Sequence, residues 1–138
     1  MKKLIVYTDG ASRGNPGPAA YGFTVADEKG KLLHEEGEYI GITTNNVAEY
    51  SGVLEALKLI KQKYQSGHPL QIAFFADSKL VAEQLSGRYK IKAKHLMSII
   101  RQIQDLCREL GEATFSHVPR AKNFPADKLA NQALDSLN

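Results

Sequence analysis

The chain contains no tryptophan and a single cysteine, Cys107. One cysteine cannot close an internal disulfide, which suits a reducing compartment. Its place on the apolar stripe of a predicted helix marks it as a core thiol rather than a nucleophile. Long apolar runs are missing as well. Nothing approaches the ~18 residues of a membrane span, and Met1-Lys2-Lys3 is followed by only four apolar residues before Thr8, too few for a secretory signal. A cytoplasmic protein with no membrane partner is expected. A zinc-type Cys–His cluster is excluded too, because His34, His68, His95 and His117 are scattered. Neither sign of charge dominates: 18 Lys and Arg stand against 15 Asp and Glu, a net +3, which permits a polyanionic partner without requiring one. Internal repeats, low-complexity tracts and linker-like shifts are absent. Residues 1–138 therefore read as one domain, long enough to bury roughly two thirds of its unfolded surface.

Apolar periodicity supplies the elements that are present. Residues 3–9 form a first strand, and 20–41 form a hairpin around the turn Asp27-Glu28-Lys29-Gly30. A helix is predicted over 46–64, with Val53, Ala56, Leu57 and Ile60 at helical spacing. QIAFFAD, 71–77, reads as a buried strand, followed by a short helix over 78–85 that stops at Gly87. Leu96, Ile99, Ile100, Ile103, Leu106, Cys107 and Leu110 mark a long amphipathic helix closed by Gly111. A last strand over 113–119 precedes a closing helix from Pro125. The order β-β-β-α-β-α-α-β-α implies an α/β fold, a mixed sheet covered by helices.

Four acidic residues occupy special places in this pattern. Asp9 ends the first strand in phase with Ile5 and Tyr7, and the glycine-bearing stretch from Gly10 to Gly17 reads as a loop. Asp77 ends the second apolar strand. Glu49 precedes Val53 and Ala56 on the helix face that packs on the sheet, and Asp127 opens the closing helix in line with Ala130 and Leu134. Each has a structural explanation: a capping box from Asn46 to Glu49, a cap by Asp77 on the helix after it, an Asp9 turn, a helix dipole for Asp127. Together they point further. Sites in open α/β sheets gather at the carboxyl ends of strands, and converging carboxylates repel unless a cation joins them. An all-oxygen ligand set suits Mg²⁺ or Mn²⁺, commonly as two ions for displacement at phosphorus.

YTDGASRGNPGPAAYGF, TTNNVAEYSGVLEAL, FADSKLVAEQL and HVPRAKNFPADKLANQAL resemble, in order and spacing, the type 1 ribonucleases H. The resemblance implies a five-stranded mixed sheet of order 3-2-1-4-5 with helices on both faces. It implies a single catalytic domain, acting as a monomer, that cleaves the RNA strand of RNA–DNA hybrids and leaves 5′-phosphate and 3′-hydroxyl ends. Asp9, Glu49, Asp77 and Asp127 match the family's metal-binding carboxylates, with two ions held once substrate is bound. Asn45 and Asn46 match the pair that reads the minor groove, and Thr44 with Asn15 matches a grip on a DNA phosphate. Telling RNA from DNA requires reading the 2′-hydroxyl, and Gly10-Ala11-Ser12 is small enough for backbone to approach a sugar.

Three departures qualify the match. Bacterial members carry a tryptophan-bearing basic protrusion; here the corresponding stretch, 86–95, is short, and Arg88, Lys90, Lys92 and Lys94 are expected to face DNA phosphates. His117 falls within the last strand and not in a loop, so a structural role is expected for it, and Arg120 becomes the candidate for contacting the scissile or departing phosphate. Lys79 stands where relatives carry a base-contacting glutamine. The alternative reading is a catalytically impaired module of the same fold that binds hybrid or double-stranded RNA.

Overall fold

The computed structural model describes residues 2–87 and 93–137. Its strands are β1 (Lys2–Ser12), β2 (Gly17–Asp27), β3 (Leu32–Thr43), β4 (Leu70–Ala76) and β5 (Gly111–His117). The helices are α1 (Asn45–Tyr64), α2 (Lys79–Leu85), α3 (Lys94–Leu110) and α4 (Phe124–Asp135), with a 3-10 turn over Arg120–Asn123. The five strands form one sheet of order β3-β2-β1-β4-β5. β1–β2 and β2–β3 are antiparallel, while β1–β4 and β4–β5 are parallel. This is the mixed sheet and strand order that the resemblance implied.

Local chemistry explains the hairpin. Asp27 accepts the N–H groups of Lys29 and Lys31 through one carboxylate oxygen, 2.9 Å each, and Gly30 takes the positive φ of 88° that closes the turn. On one face of the sheet Leu4, Val6, Phe23 and Phe74 pack with Val53, Leu57 and Ile60 of α1 and with Ile100 and Ile103 of α3. Cys107 packs against this core, and burial pushes its thiol up to about 11, consistent with a core residue rather than a nucleophile.

Two close approaches fix the helices that flank the site. A Cβ on Gly10 would lie 2.3 Å from the Glu49 backbone nitrogen, so only glycine lets α1 sit this close to β1. A Cβ on Gly22 would lie 2.3 Å from the Ala126 carbonyl oxygen, and one on Gly37, its partner across β2–β3, 2.4 Å from that of Leu129. Tyr21 pairs with Gly10 and Gly22 pairs with Asp9. Neighbours along a strand face opposite ways, so α1 covers the Gly10 side of the sheet and α4 the Asp9 side.

Candidate active site

Asp9 does not end β1, contrary to the sequence reading. The strand runs on through Gly10, Ala11 and Ser12, which pair with Tyr21, Ala20 and Ala19 of β2. What ends is the pairing on the other side, since the last β1–β4 partners are Thr8 and Ala76. Past Thr8 a gap opens between β1 and β4, and three carboxylates enter it. Asp9 is rigidly held by β2, Asp77 leaves the end of β4, and Glu49 comes from the start of α1. One carboxylate oxygen from each lies within 4.8 Å of the other two. Asn123 closes the floor of the gap: wholly buried, its Nδ2 donates to the Thr8 carbonyl oxygen at 2.8 Å. It ties the strand that carries Asp9 to the helix that carries Asp127.

The helix starts bear on the capping alternatives. Ser78, not Asp77, caps α2, its Oγ accepting the Val81 N–H at 3.2 Å. Asn46 does not cap α1 either; Thr44 does, its Oγ1 accepting the Val47 N–H at 3.2 Å, while Asn15 Oδ1 accepts the Asn45 N–H at 2.9 Å. Asp77 and Glu49 are therefore free of the structural duties that would have explained them. Asp127 lies in the first turn of α4, and Asn131 Nδ2 donates both to its backbone oxygen, 2.9 Å, and to Oδ1, 3.2 Å. Arg120 Nη2 stands 3.5 Å from the same Oδ1.

The electrostatics follow from this crowding. Asp9 and Glu49 are each only 5% exposed. Burial, then the Asp77 charge, then the hydrogen bond and charge of Asp127 push Asp9 up to about 8, against the opposing Gly10 N–H, which donates to its Oδ1 at 2.9 Å. Burial first, then Asp9 and Asp77, raise Glu49 well above the ordinary carboxylate range. Burial and the neighbouring carboxylates thus disfavour ionisation of both Asp9 and Glu49.

An open, polar cavity of about 470 Å³ covers these groups. Asp9, Glu49, Asp77 and Asp127 line it, as do Gly10, Ala11, Ser12, Asn45 and Arg120 from the expected set. Asn131, which the sequence reading missed, lines it as well; its position four residues after Asp127 on one helix face was the available signal. Asn15, Thr44, Asn46, Lys79 and Lys94 stand outside its wall, the first two bonded to the start of α1. His117 ends β5, exposed and paired with Ala76, away from the cavity wall. Arg88, Lys90 and Lys92 lie outside the described residues.

Known proteins resemble this chain in sequence and fold. The family model described as reverse transcriptase-like matches residues 7–133. LC11-RNase H1, solved in complex with an RNA/DNA hybrid, superposes with a TM-score of 0.93 at 41% identity, covering 97% of this chain and 98% of that one. The ribonuclease H of Clostridium botulinum is 30% identical over 156 residues, 100% of this chain and 99% of the relative. The chain belongs to the type 1 ribonuclease H family. The bifunctional protein Rv2228c of Mycobacterium tuberculosis is 42% identical across 97% of this chain, which spans only 36% of that relative's length. Ribonuclease H membership accounts for the strand order. It also fits the placing of the acidic groups at the gap between β1 and β4, the point where the chain's connections diverge to either side of the sheet.

Proposed function

We propose that this chain hydrolyses the RNA strand of RNA–DNA hybrids with divalent metal, leaving 5′-phosphate and 3′-hydroxyl ends, and that residues 1–138 are one catalytic domain acting as a monomer. The carrying observation is the set of three carboxylates with an oxygen from each within 4.8 Å of the others, two of them buried, and with Arg120 the one basic residue on the cavity wall among the described residues. Acids gathered this way fit a divalent cation, and donors that are all oxygen favour Mg²⁺ or Mn²⁺. Asp9, Glu49, Asp77 and Asp127 would hold two such ions. Bound there, the ions would supply an activated water and offset charge on the leaving oxygen.

The protein's own groups do the rest. Asn131 fixes the Asp127 carboxylate by donating to Oδ1, and Arg120, 3.5 Å from the same Oδ1, is assigned to a phosphate oxygen. Thr44 spends an acceptor position on the Val47 N–H and keeps its O–H to donate, and Asn15 spends its Oδ1 on Asn45 and keeps its amide N–H groups. Both remain able to donate to a DNA phosphate. The half-buried Asn45 and the exposed Asn46, at the start of α1, are assigned to the minor groove. Gly10, Ala11 and Ser12 are assigned to the ribose, now as strand backbone rather than as a loop. Lys79 and Lys94 are exposed at the starts of α2 and α3, and with Arg88, Lys90 and Lys92 they are assigned to phosphates.

The alternative, a module that binds without cutting, has no feature in its favour, since all four carboxylates are present and face one site. The test is a panel of labelled RNA–DNA hybrid, double-stranded RNA, double-stranded DNA and single-stranded RNA, with Mg²⁺ and Mn²⁺ compared. Cleavage confined to the RNA strand of the hybrid supports the proposal. An intact hybrid with both metals overturns it.

A further inference from the structure

Phe124 opens α4 with 61% of its surface exposed, outside the cavity lining but three residues before Asp127 on the same helix. A single exposed apolar side chain is ordinary on its own; the charges near it in the chain give this one a meaning. Its surroundings define the partner's chemistry. Arg120, whose side chain is 79% exposed, and the exposed Lys122 and Lys128 put three cations within the nine residues of chain that hold Phe124, and Lys128 lines the same groove as the ring. Beside the ring, a groove of about 360 Å³ continues along α4 past Lys128 and Leu129, with Glu35 of β3 as the acidic group on its wall. An aromatic ring set among cations suits a strand of alternating sugars and phosphates.

The position of the ring supplies the direction. The carboxylate cavity is lined by Asn45 and Glu49 from the N-terminal part of α1 and by Asp127 from the first turn of α4. A strand that passes Asn45 and crosses the carboxylates leaves over α4. Phe124, three residues before Asp127, is on nearly the same side of that helix. We propose that Phe124 packs against a ribose or base edge of the RNA strand just beyond the cavity on the α4 side, with Lys122 and Lys128 on the flanking phosphates. This contact is additional to those assigned to Asn45 and Asn46. The inference rests on the hybrid-cleaving reading and adds a second contact to it.

The test is the affinity of fluorescein-labelled RNA–DNA hybrid, by anisotropy in the presence of magnesium, for protein carrying Asp77→Asn to keep the hybrid intact. Adding Phe124→Ala is expected to weaken binding about fivefold or more, within the range of base–aromatic contacts, and Phe124→Trp is expected to restore it. Two hybrids shortened from opposite ends distinguish a contact from a general effect. On one of them, which lacks the nucleotides beyond α4, the Phe124→Ala loss disappears; on the other it persists. Equal affinities with and without Phe124→Ala on the full hybrid overturn the inference, as does a loss that is the same on both shortened hybrids. Self-association abolished by Phe124→Ala, with hybrid binding unchanged, would assign the face to a second copy and likewise overturn it. A parent protein that binds hybrid in this way but never cuts it in the wild-type form would sink the proposed activity and leave the contact standing.

Discussion

Asp9 carries the account at the scale of single residues. It is held by β2, surrounded by Asp77 and Asp127, and nearly closed to solvent. Its pKa rises from 3.8 to about 8 on folding, so the metal-free native state binds this proton more tightly than the unfolded chain does. The contribution to stability is fully present below pH 3.8 and is lost as pH rises through about 8. Melting temperature measured in EDTA is therefore expected to fall across that interval. Adding Mg²⁺ at the upper end should recover it, and Asp9→Asn should flatten the pH dependence and remove the Mg²⁺ effect. A melting temperature independent of both pH and Mg²⁺ would contradict the electrostatic picture. The phase of Asp9 with Ile5 and Tyr7 made its face legible in sequence, while Asp77 was marked by its strand end and Glu49 and Asp127 by their places on helices. Asn123 carried no such mark. A buried asparagine that donates to a strand carbonyl from 115 residues away leaves no local pattern.

Elements are positioned by close approach, which is where sequence reading failed most instructively. Gly10 looked like the start of a flexible loop because a charge, a glycine and small residues follow an apolar strand. β2 pairs with this stretch and keeps it extended, and the glycine serves the packing of α1. Gly10→Ala is expected to push α1 away from β1, since the obstacle is backbone at 2.3 Å and not a movable side chain. A loss of about 1–3 kcal/mol in urea unfolding is anticipated, together with a fall in cleavage as Glu49 withdraws. Wild-type stability in this variant would refute the packing argument. Thr44→Ala removes the cap on α1 and should cost about 1 kcal/mol, read by the same unfolding experiment. The capping box from Asn46 failed as an expectation because spacing alone does not say which residue leaves the helical conformation first; Thr44 does so, with extended φ and ψ of −87° and 160°.

At the scale of the whole molecule the sheet order was not legible from periodicity, which supplied the element sequence and the mixed α/β class. Strand order came from matching four blocks of residues in register with a known family, and the observed β3-β2-β1-β4-β5 order agrees with it. Long-range pairing of this kind depends on contacts between distant segments that no local window contains. The mild net charge of +3 acts at this scale as well. If hybrid is gripped through phosphates, affinity falls with salt, and each phosphate-contacting lysine or arginine removed should lower the log–log salt slope by about 1. Replacing Lys90, Lys92 and Lys94 together by alanine and measuring binding across a salt series checks this, and an unchanged slope would remove the basic run from the interface.

The central claim, that the clustered carboxylates exist to hydrolyse RNA paired with DNA, is tested most directly by one strand-resolved assay. A hybrid labelled on both strands is incubated with Mg²⁺ and either wild-type protein or folded Asp9→Asn, and the products are sized. The account predicts a shortened RNA strand and an intact DNA strand with wild type, and no change in either strand with Asp9→Asn. Cutting by Asp9→Asn at the wild-type rate, or a DNA strand cut as readily as the RNA, would contradict it.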